Sequence, residues 1–170
     1  TLTGHMVLAL GDRVGGVLGS DDVVADVLAA GVRAGEAHWA MPIPEDMVER
    51  VNASKIADLL QHDWVRWGGG LYAAAFLREF TGAVPWAHLD IAGPAFNSGG
   101  AFGHVTQGGT GFAVTTLVEY ARALADFRRA GHQHRQHQNR CHDDFIGRNG
   151  HVVGQQDDTR EPDEPAERLQ

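Results

Sequence analysis

The stretch Trp86–Gly93 constrains the fold more than any other part of the sequence. It reads Trp-Ala-His-Leu-Asp-Ile-Ala-Gly and is followed at once by Pro94. A short apolar run that ends in a Gly-Pro pair is typical of a strand that stops in a tight turn. The sequence therefore predicts a strand over residues 86–91, and any fold of the chain has to place other elements around it.

Helix and strand signals alternate before and after this strand. Residues 14–18 predict a short buried strand between glycines, and Ser20 is a suitable N-cap for a helix that Gly35 ends. Residues 6–10 fit either a helix or a strand. Helices that alternate with buried strands predict an α/β domain. The other predicted helices cover residues 44–51, 71–80 and 110–129, the last with Val114, Leu117, Val118, Ala121 and Leu124 as its inner stripe.

Residues 1–127 and 128–170 differ in composition. All four tryptophans lie in the first part, whereas the second has Phe145 as its one aromatic residue and is rich in Gln, His, Arg, Asp and Glu. A segment with so few large apolar side chains cannot offset its ordering entropy by burial. We therefore expect a folded portion over 1–127 and a disordered tail over 128–170.

Charge and cysteine content exclude some classes of function. A net charge of −8 argues against a nucleic-acid-binding protein, which needs a basic surface. The sequence contains no apolar run long enough for a membrane span, and its first residues do not resemble a signal peptide. Cys141 is the single cysteine, so an internal disulfide is excluded. These features favour a cytoplasmic protein that contacts neither nucleic acid nor membrane.

Other patterns indicate chemistry only weakly. The glycine-rich stretches 68–70 and 108–111 are not followed by the residues of a phosphate-binding loop. The five histidines of the first part are scattered, without a metal-ligand spacing. The tail has a denser group, which leaves a zinc or nickel site open as an alternative, although its spacing fits no standard zinc finger. That group comprises His132, His134, His137, Cys141 and His142.

Four segments together carry a family resemblance. They are Thr-Leu-Thr-Gly at residues 1–4, the alanine-rich helix at 71–80, the stretch Trp86–Gly93 and Gly-Thr-Gly at 109–111. In this order and at these distances, the chain closely resembles the C-terminal part of the catalytic domain of the leucyl aminopeptidases, also called cytosol aminopeptidases. The resemblance covers residues 1–127 and implies a partial mixed sheet flanked by helices. Ala40 departs from it, because the family usually has Arg there.

The resemblance implies a two-metal exopeptidase that releases N-terminal residues from peptides. Family members use zinc or manganese, form hexamers and are cytoplasmic. Their main metal ligands lie in an Asn-Thr-Asp-Ala-Glu-Gly-Arg segment before the Thr-Leu-Thr-Gly tetrad, and this sequence does not contain that segment. We therefore assign no catalytic residue and no metal ligand to this chain, and we expect it to be inactive alone.

The resemblance does imply substrate contacts in this chain. Thr1 would border the pocket for the N-terminal side chain, while the Leu2 carbonyl and the Gly4 amide would hydrogen-bond the peptide backbone. Ala92 and Ala95 would line the same pocket and leave room for a leucine-sized group. Asp90 invites interpretation as an acid or a metal ligand, but the family reading makes it structural.

Two alternatives remain open at the level of sequence. The first is a noncatalytic oligomerisation or interaction module that keeps the fold's assembly surfaces. The second is a metal-binding protein built on the histidine-rich tail.

Overall fold

The computed structural model describes residues 1–62 and 64–130. The chain divides into two units, Thr1–Asp126 and Phe127–Gln170, and the second contributes only residues 127–130 to the description. The predicted disordered tail at 128–170 lies outside the described residues except for 128–130, which belong to a helix that begins at residue 114. The tail and its histidine group therefore stay predictions.

Within the described residues, nine elements are followed by a further helix, α5, which covers residues 114–130. The preceding helices are α1 (Gly4–Leu10), α2 (Asp21–Ala34), α3 (Glu45–Val51) and α4 (Gly69–Arg78), and the strands are β1 (Gly15–Gly19), β2 (His38–Ala40), β3 (Ala87–Asp90), β4 (Phe96–Asn97) and β5 (Gly108–Gly109).

The main sheet has three strands in the order β2-β1-β3. β1 pairs with β2 in parallel, with Gly16 opposite Trp39, and with β3 antiparallel, with Val17 opposite Leu89. The predicted α/β fold with a partial mixed sheet is therefore confirmed. β1 is the central strand because it pairs on both edges. Both of its faces are covered, and Val17 and Leu18 are completely buried.

Helices cover this sheet through small and flexible side chains. Ala74 of α4 packs with Leu18 of β1 and Met6 of α1, and Ala75 packs on Val51 of α3. Both alanines are fully buried. The short side chains let α4 approach its neighbours closely, and the methionine fills the remaining gap.

Two details of the helices differ from the predictions. Ser20 does cap α2 by position, but its hydroxyl accepts a hydrogen bond from the Trp86 amide instead of one from its own helix. The predicted inner stripe of α5 is wrong, because Val114 and Leu117 are 61% and 50% exposed. The buried residues at the start of α5 are instead Ala113, just before the helix, and Thr116. No helix within the described ranges has the length and apolar character that a membrane crossing requires.

Candidate functional site

Asp90, the last residue of β3, connects two segments that are distant in sequence. Its carboxylate is 1% exposed and accepts three hydrogen bonds. Thr3 donates its amide to Oδ1 at 3.0 Å, Ala92 donates its amide to the same oxygen at 3.3 Å, and the Thr1 hydroxyl donates to Oδ2 at 3.1 Å. One side chain thus holds the Thr-Leu-Thr-Gly segment against the turn that follows β3.

The main chain of Thr1 reinforces this connection. The Thr1 nitrogen donates to the Leu89 carbonyl at 2.7 Å, and the Thr1 carbonyl accepts from the Ile91 amide at 2.9 Å. Two bonds from one residue to the neighbours of Asp90 form the pattern of a parallel pair. Thr1 therefore lies beside the end of β3, and the chain enters α1 after Thr3.

His88 completes the cluster from the other side of Thr1. Its Nε2 lies 2.9 Å from the Thr1 hydroxyl oxygen and 3.9 Å from Asp90 Oδ2. Because the hydroxyl donates its proton to Asp90, its oxygen accepts from a protonated Nε2 of His88. The histidine and the aspartate are therefore joined through the hydroxyl, and the longer distance between them is not a direct hydrogen bond.

The pKa values of the two groups suit a permanently ionised acid beside a neutral histidine. Burial lowers the pKa of His88 and Asp90 acts to raise it, with a net result below 6.5. Burial acts to raise the pKa of Asp90, but hydrogen bonds from Thr3, Ala92 and Thr1 outweigh it and leave the pKa below 3.8. Asp90 is therefore a hydrogen-bond acceptor at neutral pH and not a proton donor.

The five residues expected to contact substrate lie on both sides of this cluster. Thr1 and Ala92 bond directly to Asp90, whereas Leu2 is 67% exposed and Gly4 begins α1 with open space around its α-carbon. Ala95 is half-buried, and its amide donates to the Ile91 carbonyl. The Leu2 side chain and the first turn of α1 are thus accessible, but contact of these residues with a peptide stays a prediction.

Thr1 also lines a cavity of about 430 Å³ beside α4. Its walls include His5 and the side chains of Tyr72, Ala73 and Phe76. The volume lies within the range of small-ligand pockets, which is about 300–1,000 Å³. Ala92 and Ala95 do not belong to its walls, so of the five predicted residues Thr1 alone borders it.

A second polar cluster, which sequence reasoning did not predict, fixes the start of α5. Glu36 follows α2, and its Oε1 accepts from the Ala113 amide at 3.1 Å. Its Oε2 accepts from the Thr116 amide at 2.9 Å and from the Thr116 hydroxyl at 2.5 Å. The carboxylate therefore satisfies amides that a helix N-terminus leaves without partners. The Gly-Glu pair at 35–36 was the available signal, but nothing in the sequence indicates a partner 77 to 80 residues away.

His38 on β2 extends this cluster inward. Because the Thr116 hydroxyl donates to Glu36, it accepts from His38 Nε2, which lies 3.0 Å away. Nδ1 is then the unprotonated nitrogen, and it is buried without a hydrogen-bond partner within the described residues. Burial lowers the pKa of His38 and Glu36 acts to raise it, with a net result below 6.5. A second proton on this ring would meet no acceptor, which agrees with the neutral state.

We expect acidification to destabilise the fold in two pH windows. Groups whose pKa is lower in the folded chain take up protons preferentially when the chain unfolds. The contributions of His38 and His88 are therefore complete above pH 6.5 and are lost as the pH falls through their lowered pKa values. The contribution of Asp90 is complete above pH 3.8 and is lost below it. Urea unfolding between pH 8 and pH 3, followed by circular dichroism, measures both windows.

The control for this experiment is a pair of glutamine variants. His38→Gln and His88→Gln each keep an N–H donor and remove the titration, so the double variant should lose the upper window and keep the lower one. His104→Gln, at an exposed position, should leave both windows unchanged. Unfolding free energies that stay constant from pH 8 to pH 5 would contradict the assignment.

Within residues 1–62 and 64–130, no three His, Cys, Asp or Glu side chains lie close enough to hold a metal ion. The carboxylates of Asp90 and Glu36 are both occupied by hydrogen bonds from the protein. The described residues therefore do not fit the two-metal centre that the resemblance implies, and the histidine-rich group at 132–142 lies outside them.

Comparisons with known proteins follow the same residues. A family model for the catalytic domain of the cytosol aminopeptidase family matches residues 1–118. A probable cytosol aminopeptidase of Streptomyces coelicolor is 50% identical over 127 residues, which is 74% of this chain and 24% of the relative. A probable cytosol aminopeptidase of Nocardia farcinica is 48% identical over 126 residues, which is 74% of this chain and 25% of the relative.

A solved structure agrees with the family match. The bottromycin maturation enzyme BotP in complex with Mn superimposes with a TM-score of 0.68 and 46% identity, over 72% of this chain and 27% of that chain. The chain spans about a quarter of the length of the curated relatives it matches. The family model nonetheless covers well over half of the 170 residues. The chain belongs to the cytosol aminopeptidase family.

Proposed function

We propose that this chain supplies the peptide-binding part of a metal-dependent aminopeptidase. The observation that carries the proposal is the arrangement around Asp90, which brings the tetrad at residues 1–4 and the turn at Ala92 together. The family match over residues 1–118 supports peptides as the substrate class. Hydrolysis of the bond after the first residue is the reaction we propose for the whole protein, with a cytoplasmic location and a hexameric assembly as further parts of the proposal.

The geometry of the tetrad fits the capture of a peptide main chain. Backbone groups recognise an extended peptide without reading its side chains, and a glycine permits close approach. We propose that the Leu2 carbonyl accepts from the peptide and that the Gly4 amide donates to it, with Thr1, Ala92 and Ala95 around the first side chain. Small alanines discriminate weakly, because one methylene is worth only about 1–3 kcal/mol in such a pocket. Broad specificity with room for leucine follows.

We propose that residues outside the described part of this chain hold the metal ions. A solved structure similar to this chain contains Mn, and zinc or manganese is proposed here in the same role. Two such ions activate water and polarise a carbonyl when they are bound. The described residues do not fit such a centre, so this chain contributes binding and orientation of the peptide.

We therefore expect the purified 170-residue chain to release no leucine from a leucyl peptide. The assay follows free leucine in the presence of Mn²⁺ or Zn²⁺, with a full-length aminopeptidase as positive control. The same preparation with a metal chelator reveals contaminating peptidases. Gly93→Ala, which we expect not to reach the native state, is the negative control. Metal-dependent release that co-purifies with the wild-type chain and is lost in this variant would contradict the expectation.

The proposal for the whole protein has its own test. The mass and N-terminal peptides of the native product in its source cell should reveal an acidic segment before Thr1 and a length close to that of the relatives. A native product of 18.3 kDa that begins at Thr1 would exclude hydrolysis by this protein and favour another role.

One observation favours the alternative of an interaction module. Apolar side chains of α5 lie exposed on one face, among them Val114, Leu117 and Val118 at 61%, 50% and 44%. An exposed apolar helix face is typical of a surface that another protein covers. Under this alternative the chain would co-purify with a full-length subunit, and changes in residues 1–4 would not weaken that association.

A further inference from the structure

We infer that Asp90 is a positioning residue, whose carboxylate sets the geometry of the peptide-binding backbone through Thr1, Thr3 and Ala92. The inference rests on the proposed function and adds to it a residue that itself touches no substrate. It concerns the distance and orientation between two segments, residues 1–4 and the turn at 92–95. The main-chain bonds of Thr1 to Leu89 and Ile91 hold one end of the tetrad, and the carboxylate adds direct bonds from Thr3 and Ala92.

The hydrogen bonds that Asp90 accepts support the inference. Oδ1 of Asp90 binds one amide from each segment, Thr3 at 3.0 Å and Ala92 at 3.3 Å. This oxygen is therefore an acceptor that the two segments share, and a change in its position moves both. An ionised acceptor forms stronger bonds than a neutral amide would, and the burial of Asp90 excludes competing water.

The hydroxyl of Thr1 extends this control to the cavity beside α4. It donates to Asp90 Oδ2 and accepts from His88, so its rotamer is fixed from two directions. The methyl group of Thr1 then takes one orientation at the edge of the cavity beside α4. Valine has the same shape without these bonds, and serine keeps the bonds without the methyl group. The pair of substitutions therefore separates shape from hydrogen bonding.

The experiment measures binding of the dipeptide leucyl-glycine by NMR, with the amides of Leu2 and Gly4 as reporters. The chain is prepared with a cleavable leader so that Thr1 is its first residue. In Asp90→Asn we expect at least a tenfold loss of affinity and at least a tenfold faster hydrogen exchange at the amides of Thr3 and Ala92. Exchange in the interior of α2 and a cooperative melt should stay as in the wild type.

If Asp90→Asn does not fold, Thr1→Val and Thr1→Ser provide a second test of the positioning role. We expect Thr1→Val to lose affinity at least fivefold and Thr1→Ser to restore at least half of the wild-type affinity. A merely structural role would not produce this rescue, because both variants keep the main-chain bonds of Thr1 to Leu89 and Ile91.

The possible results separate the two claims. If the wild type binds the dipeptide and Asp90→Asn binds it with equal affinity, the positioning role is overturned and the proposed function stays intact. If Asp90→Asn does not fold, equal affinity of Thr1→Val and the wild type has the same meaning. Absence of binding by the wild type would instead count against the proposed function. Hydrogen exchange then decides the positioning role, and unchanged exchange at Thr3 and Ala92 in Asp90→Asn, or at Thr3 in Thr1→Val, overturns it.

Discussion

Replacement of Gly93 by alanine should prevent the chain from reaching its native state. Gly93 is buried in the turn after β3, and its α-carbon packs directly on the backbone at the end of α1. A methyl group added there would overlap the Gly11 carbonyl and press on the α-carbon of Asp12. Both obstacles are main chain, so no side-chain rotation relieves the overlap.

The expected cost exceeds that of ordinary overpacking. Extra methylenes in a well-packed core cost about 1–3 kcal/mol when side chains can shift. Here the turn or α1 itself would have to move, so we expect a loss above about 3 kcal/mol, a large part of the roughly 5–15 kcal/mol that stabilises a typical domain. Thermal unfolding followed by circular dichroism should reveal a melting temperature lowered by about 10 °C or more, or no cooperative transition.

Gly109→Ala is the matched control for this substitution. Gly109 lies in β5 with open space around its α-carbon, so an added methyl group meets no atom. We expect its stability to stay within about 0.5 kcal/mol of the wild type. Equal stability of Gly93→Ala and Gly109→Ala would contradict the packing of the turn on α1.

Local sequence patterns predicted the core of the fold. The apolar residues 14–18 between glycines predicted β1, and Trp86–Ile91 predicted β3, because short buried strands carry these signals without any information from distant residues. The start of α2 after Ser20 and its end at Gly35 were predicted for the same reason, since helix ends depend on local backbone geometry.

The orientation of α5 could not be predicted from its own pattern. The apolar stripe at residues 114–124 indicates an inward face, yet the structure exposes it and buries Ala113 and Thr116. The deciding contact is Glu36, which lies 80 residues from Thr116 in sequence. Periodicity reports which face is apolar, but it does not report which neighbour that face meets.

The same limit applies to the candidate site. Asp90 and Thr1 are separated by 89 positions, and only the family resemblance of residues 1–127 suggested that their segments meet. The resemblance implied a structural role for Asp90, and the structure shows the hydrogen bonds that this side chain accepts. Its three donors come from two segments, so a pattern within either segment alone contains only part of the site.

Removal of the Glu36 side chain should release the start of α5. In Glu36→Ala the amides of Ala113 and Thr116 lose their acceptor, and the Thr116 hydroxyl loses the partner that orients it toward His38. Loss of a helix cap costs about 0.5–2 kcal/mol, and a buried donor without a partner costs about 1–3 kcal/mol. We therefore expect a loss of about 2–4 kcal/mol.

Ala113 makes this junction especially dependent on Glu36. Its φ is 71°, and among the described residues it is the one non-glycine residue with positive φ. Such a backbone costs of order 1–3 kcal/mol and persists only where the surroundings hold it. In the part of the chain that the structure describes, α5 also contacts α2 through the Arg33–Glu119 ion pair at 3.8 Å, which is too exposed to hold the helix alone.

Hydrogen exchange at Ala113 and Thr116, together with urea unfolding, measures the release. In Glu36→Ala we expect exchange at these two amides to become at least tenfold faster, while the interior of α4 remains protected. Glu49→Ala removes an exposed carboxylate from α3. It should leave exchange at these two amides unchanged and alter the free energy of unfolding by no more than about 0.5 kcal/mol. Unchanged protection at Ala113 in Glu36→Ala would mean that packing of Phe112 and Thr116 against His38, and not the carboxylate, holds α5 in place.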